Sequence, residues 1–281
     1  MFLAINNRGL LMRLILGKIK IACKSLWPAD INQKIKIGDL VFKFNPDRNL
    51  SKSEIVEKQA KSYEIAIVSA MKSILKPGDI FIDVGSNIGY LSIVGAALVG
   101  KKGEVHSFEP IPAYFQDAKM VADLNNEYEI VVNNFALGDK NENLEIQMTN
   151  EPFIGNSTFL PEILAEGISK QSISVPVRRL DEYIEKMIEH KDRIRLIKID
   201  VEGFESLVLK GMEGFFQKYI YRPDIICEIK LEAYAKLGFS LVQLNEFMNK
   251  YKYSAYYIEA PKININLNNL KGEVNVIFKA K

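Results

Sequence analysis

From residue 65 to residue 251, short apolar runs alternate with helical stretches, and no other feature limits the possible fold as much. The runs Asp79–Val84, Glu104–Phe108, Ile130–Asn133, Leu196–Ile199 and Asp224–Ile229 are apolar for most of their length, as parallel strands covered on both faces are. Between them, Ile65–Leu75, Ala113–Asn125, Phe204–Tyr219 and Leu241–Tyr251 read as helices. Such alternation predicts an α/β fold built on a doubly wound sheet. Tyr253–Ile258 and Val274–Phe278 then read as a terminal hairpin, joined by the polar segment Lys262–Lys271. With 281 residues, 48% of them hydrophobic, the chain can supply the core of one large α/β domain or two small ones.

Residues 1–60 read as an N-terminal extension and residues 61–281 as the α/β domain. The first 27 residues carry Arg8, Arg13, Lys18, Lys20 and Lys24, no acidic group, and an apolar run from Leu10 to Ile21. This basic amphipathic pattern suits a helix docked on the domain as a lid, or one lying on a membrane surface. Its charges make it too short an apolar stretch to span a bilayer. Lys34–Ile37 and Leu40–Phe44, either side of Gly38-Asp39, predict a short strand pair. The formal net charge of +2 argues against a dedicated nucleic-acid binder, whose affinity leans on phosphate neutralisation. Cys23 and Cys227 lack CxxC spacing, which argues against structural zinc and against a disulfide-built fold. The expected location is cytoplasmic, or peripheral at a membrane if residues 1–27 lie on one.

The first central strand runs into Asp83-Val84-Gly85-Ser86-Asn87-Ile88-Gly89, and a helix begins at Tyr90. Glycines at the carboxyl end of a central strand let the chain turn sharply and bring its backbone against a ligand. The spacing Gly-x-x-x-Gly lacks the middle glycine that admits a pyrophosphate, and no lysine follows to hold a triphosphate. Asp83 would repel a pyrophosphate but suits a ligand with an ammonium group. S-adenosylmethionine carries an ammonium and a sulfonium and no phosphate. The second strand ends in Phe108-Glu109-Pro110, where the two oxygens of Glu109 can accept both hydroxyls of a ribose and Pro110 limits the loop.

With these residues in view, the chain resembles the FkbM family of S-adenosylmethionine-dependent methyltransferases. The matching segments are FIDVGSNIGYLS at 81–92, FEP at 108–110, NFALGD at 134–139, GNSTF at 155–159, VPVRRLDEY at 175–183 and IKIDVEGFE at 197–205, in the family's order. The resemblance implies a class I methyltransferase (Rossmann-like) sheet of seven strands with the last antiparallel, and methyl transfer to an oxygen on a sugar, glycan or small molecule. It implies that Asp83, Gly85, Asn87 and Gly89 surround the methionine part of the cofactor and that Glu109 meets the ribose, with Ser86 and Pro110 also among the cofactor-binding residues. Asn134 and Ala136 would lie near the adenine, although Asn134 reads equally well as a polar turn residue. GNSTF either faces the acceptor or is a plain surface loop.

Methyl transfer from a sulfonium requires an acceptor oxygen held in line and relieved of its proton, so a base or a metal is the group to find. Asp200 and Glu202 follow the strand Leu196–Ile199 at the edge where such folds bind ligands. They could hold a divalent cation such as Mg²⁺, or one could act as base; alternatively Glu202 caps the next helix while Asp200 lines the cofactor pocket. Glu228, an acidic residue inside an apolar run, is the third catalytic candidate. His106 reads as a core residue and His190 as a solvated one, so neither is the expected base. Arg178-Arg179 reads as the anchor of a strand-to-helix corner. Two other functions compete: a nucleic-acid methyltransferase and a non-catalytic cofactor-binding module. Against the first stand the missing Pro-Pro segment after Ile199-Asp200 and the lack of a cysteine near the glycine turn. Against the second stand Asp83, Glu109, Asp200 and Glu202 in one chain.

Overall fold

Apolar strands covered on both faces form the centre of the computed structural model, which describes residues 34–37, 40–43, 62–149, 157–160 and 170–280. The basic segment 1–27 and Gly155-Asn156 lie outside the described residues. β1 (Lys34–Ile37) and β2 (Leu40–Lys43) make the expected antiparallel pair. The Asn125 side chain ties it to the domain, accepting from Lys43 N at 2.7 Å and donating to Lys43 O at 2.6 Å.

The main sheet has seven strands: β3 (Ile80–Val84), β4 (Glu104–Phe108), β5 (Glu129–Asn133), β10 (Ile194–Ile199), β11 (Asp224–Lys230), β12 (Tyr253–Tyr257) and β13 (Glu273–Ala280). Their spatial order is β12-β13-β11-β10-β3-β4-β5. β5, β4, β3, β10 and β11 are parallel, and β13 runs antiparallel between β11 and β12. This is the class I methyltransferase arrangement. The hairpin is also present, although a long excursion with a 3₁₀ turn at Leu267–Asn269 separates its arms.

Alternate side chains of the strands feed two core layers, as the pleat requires. Ile80, Ile82 and Val84 join Ile197, Ile199 and Cys227 on one face, against the helix Leu180–Met187. Phe81, Leu196 and Ile226 point the other way, into a layer with residues of the helices Ser62–Ile74 and Tyr90–Val99. Asp83 and Lys198 fall in that second alternation and are among its buried charged residues.

Two features depart from the expected elements. Phe204–Tyr219 is not one helix but two, Glu205–Lys210 and Glu213–Lys218. The break gives Gly211 and Gly214 distant partners: Gly211 O accepts from Asp181 N at 3.0 Å and Gly214 N donates to Asp181 Oδ2 at 2.9 Å. A Cβ on Gly211 would lie 2.0 Å from Gly138 O, so the packing admits no side chain there. The second feature is a separate four-stranded sheet of β6 (Ala136–Leu137), β7 (Glu142–Thr149), β8 (Ser157–Thr158) and β9 (Lys170–Arg178), in the order β6-β9-β7-β8. Its own small core joins Ala136, Ile146, Val175 and Val177 to Ile111. At its end Arg179 anchors the corner as expected, donating to Asp181 and to Asp139 O at 2.6 Å.

Candidate active site

Parallel pairing brings the carboxyl ends of β3, β4, β10 and β11 to one edge of the sheet. The turn after β3 is fixed from two sides. Gly85 N and Ser86 N both donate to Phe108 O at 3.0 Å, and Asp200 N donates to Val84 O at 3.2 Å. Gly85, Asn87 and Gly89 have φ of 75°, 52° and 82°, the left-handed region open to glycine and tolerated by asparagine. The space at the glycines belongs to the protein rather than to a ligand. A Cβ on Gly85 would sit 1.9 Å from Asp200 O, and one on Gly89 would sit 3.1 Å from Ala118 Cα.

Glu109 is 5% exposed and closes the turn against β4: Oε2 accepts from Asn87 N and Oε1 from Ile111 N, both at 2.9 Å. Burial raises its pKa to about 7, against the pull of those two N–H groups and of Lys198. Each oxygen keeps a lone pair, so the carboxylate still offers the paired acceptors that a vicinal diol requires. Asn134 Nδ2 donates to Glu109 O at 2.9 Å and to Pro110 O at 3.0 Å, so this side chain braces the loop after β4. Ala136 is buried in the small sheet's core. Ser86 Oγ is buried and has no hydrogen-bond partner among the described residues. This orphaned hydroxyl and the free lone pairs of Glu109 fit S-adenosylmethionine.

Asp83 differs from the expectation of direct contact with an ammonium group. Its carboxylate has no exposed surface; Oδ2 accepts from Ser92 Oγ at 2.6 Å, and Oδ1 is 3.4 Å from Lys198 Nζ. The Asp83 carboxylate therefore faces Ser92 and Lys198 inside the protein. Burial acts to strip Lys198 of its proton, but Asp200, Asp83 and Glu228 outweigh burial and raise its pKa.

The structure brings Asp200, Glu202 and Glu228 together, with one oxygen of each within 4.8 Å of the others. It also places a cation among them that the sequence reading overlooked. Lys230 Nζ pairs closely with Glu202, lies 3.2 Å from Glu228 Oε2 and reaches Glu273 Oε2 at 3.6 Å. Lys230 is thus the counter-ion of Glu202 and Glu228, Asp200 has Lys198 at 3.6 Å, and a divalent cation would have to displace Lys230. As arranged, the cluster does not fit a metal ion. Burial, then the Asp200 charge, raises Glu202 and Glu228 while Lys230 opposes the shift.

Neither Glu202 nor Glu205 caps the helix Glu205–Lys210, whose N-cap position is Phe204 and carries no side-chain hydrogen bond. Glu202 is left-handed at φ 56°, a costly conformation for a non-glycine residue. Fully buried Glu205 holds it there, accepting from Val201 N at 3.1 Å and Gly203 N at 2.9 Å on either side. From the second sheet, Thr158 Oγ1 donates to Glu202 O at 2.8 Å, and the Phe159 and Phe204 rings pack 4.7 Å apart. The end of the GNSTF segment therefore meets the acidic loop, a contact that the local sequence did not signal. Lys198, Glu205 and Lys230 did leave one signal: charged residues in or beside apolar runs are rarely buried without partners.

Burial raises Glu205 from 4.5 to about 7 in the folded state, despite its backbone N–H partners. The folded protein therefore binds the proton more tightly than the unfolded chain. At this group, stability is fully present below pH 4.5 and falls as pH rises to about 7. Glu205→Gln keeps the acceptor oxygen and removes the titration. It is expected to stabilise the protein at pH 8 by up to ~3 kcal/mol and to give no gain at pH 4.5, as read by denaturant unfolding at both pH values.

The strand order with its antiparallel β13, the glycine turn and the carboxylates at one sheet edge define a class I methyltransferase fold. Residues 83–255 match the methyltransferase FkbM domain, and the chain belongs to that family. Methyltransferase 1 of Beauveria bassiana is 28% identical over 153 residues, 49% of this chain and 60% of the relative. Hexuronic acid methyltransferase AglP of Haloferax volcanii is 29% identical over 177 residues, 59% of this chain and 66% of the relative. The chain thus spans less than two thirds of either relative's length. A crystal structure of Aeropyrum pernix fibrillarin with natively bound S-adenosyl-L-methionine aligns with a TM-score of 0.42 at 12% identity, over 90% of this chain and 85% of that one. Among the described residues no helix is long and apolar enough to cross a membrane.

Proposed function

We propose that the protein transfers a methyl group from S-adenosylmethionine to a hydroxyl oxygen of a sugar, glycan or small molecule. The observation that carries this reading is the meeting of the glycine turn, Glu109 and Asp200 at one sheet edge. Gly85, Ser86, Asn87 and Gly89 would enclose the methionine part of the cofactor. Glu109 and Pro110 would hold the ribose, with the Asn134 loop toward the adenine and Ala136 behind it. When bound, the cofactor supplies an electrophilic methyl group on a sulfonium. The chain's own task is to align the acceptor oxygen and take its proton. Asp200 is assigned that task, because it borders the turn and its side chain is 26% exposed, while Lys230 engages Glu202 and Glu228. Glu202 and Glu228 then form an acidic wall suited to accepting hydrogen bonds from further sugar hydroxyls. In this reading Lys230 supplies the wall's positive charge and no divalent cation takes part. A sugar acceptor is supported by the hexuronic acid methyltransferase among the relatives.

The test is release of S-adenosylhomocysteine from S-adenosylmethionine across a panel of hexoses, hexuronates and glycans, with the product's methyl position read by NMR. An O-methyl sugar, formed equally well with EDTA or Mg²⁺, is the expected result. Transfer to nitrogen or carbon would sink the acceptor assignment, and activation by Mg²⁺ of tenfold or more would return a metal to the carboxylates.

A further inference from the structure

Lys198 has no role in the function proposed so far, yet it is 3% exposed on a strand whose neighbours Leu196, Ile197 and Ile199 are fully buried. A buried ammonium has to be held by several partners, since desolvation is costly and one imperfect ion pair does not repay it. Here the partners come from three different parts of the site. Lys198 pairs in register with Asp83 across β10 and β3, and its Nζ lies 3.4 Å from Asp83 Oδ1. It donates to Gly85 O, inside the glycine turn, at 2.7 Å. It also stands 3.6 Å from Asp200 Oδ2, two residues along the same face. A counter-ion serving Asp83 alone would have no need of the other two.

We propose that Lys198 is a positioning residue that fastens the glycine turn and the Asp200 carboxylate to one ammonium, so that the shape of the cofactor pocket and the charge facing it are set together, given the cofactor placement proposed above. Removing it should loosen the turn for any ligand. It should also leave Asp200 uncompensated beside the pocket, which favours a cationic ligand over a neutral one of the same shape. S-adenosylmethionine and S-adenosylhomocysteine are such a pair, differing by the charged sulfonium.

Calorimetric titration of both ligands into the full chain, with thermal unfolding alongside, tests this in wild type, Lys198→Met and the double variant Asp83→Asn/Lys198→Met. In Lys198→Met, S-adenosylhomocysteine is expected to bind at least tenfold more weakly, and the affinity ratio to shift at least threefold toward S-adenosylmethionine. The double variant removes the buried pair together, so it should regain thermal stability and still show the weak binding and the shifted ratio. It carries the test if Lys198→Met does not fold. Wild-type affinities in the double variant would overturn the proposal by reducing Lys198 to a counter-ion for Asp83. Equal losses for both ligands, with the ratio unchanged, would overturn it in favour of a purely structural role. A wild-type chain that binds neither ligand would refute the functional reading and this inference with it; a binding wild type with unaffected variants would refute the inference alone.

Discussion

Asp200→Asn is expected to lower methyl transfer by about 10²–10⁴-fold, the range associated with a positioned proton acceptor, while S-adenosylmethionine affinity stays within about tenfold, or ~1.4 kcal/mol. The substitution keeps the size and planarity of the side chain and removes its capacity to take a proton. The main-chain bonds that tie Asp200 to the turn do not involve the carboxylate: Asp200 N donates to Val84 O at 3.2 Å, and Asp200 O faces the missing Cβ of Gly85. Cofactor binding should therefore outlast the loss of turnover. Glu202→Gln and Glu228→Gln are the controls, since both side chains are held by Lys230. Should Asp200→Asn turn over at the wild-type rate while Glu202→Gln does not, the proton acceptor is Glu202.

Gly85→Ala is expected to cost about 2–5 kcal/mol of stability and to abolish cofactor binding. Part of that, about 1–2 kcal/mol, is the left-handed backbone, here at φ 75°. The rest is overpacking of about 1–3 kcal/mol, because the new Cβ would meet a backbone carbonyl 1.9 Å away, which cannot yield as a side chain would. Gly78→Ala separates the two contributions. Its φ is 93°, with no atom within 4 Å of the added Cβ, so it should lose only the backbone part and bind the cofactor as wild type does. Urea unfolding and calorimetric titration of both variants measure the difference. Equal losses would show that the approach of β10 to the turn is unimportant.

The main sheet was legible because burial on both faces leaves a direct trace in the chain. A run such as Ile80–Val84 is apolar but for Asp83, and the helices repeat with the expected period. The break at Gly211 was not legible, since its cause is a contact with Gly138, far away in sequence. The second sheet was legible only in part: Leu144–Met148 reads as strand-like, but its half-polar sequence does not say that it pairs with Lys170–Arg178 in a sheet of its own. At the site, local spacing was enough to single out Gly85, Glu109, Asp200, Glu202 and Glu228. It could not say which charges face one another. Asp83 looked free to meet a ligand and instead faces Lys198, while the pair Asp200 and Glu202 looked ready for a metal although Lys230 reaches Glu202 from the end of β11.

The strand order has a consequence for how the protein is made. β12 touches the sheet through β13, which is synthesised after it and lies between it and β11. On the ribosome, β3, β4, β5, β10 and β11 can pair as they emerge, but Tyr253–Tyr257 has to wait with an open edge until Glu273–Ala280 arrives. During that interval β11 presents unpaired backbone along Ile225–Lys230, an edge that attracts other strands. Released chains truncated between residues 258 and 272 should accordingly aggregate more readily than the full chain.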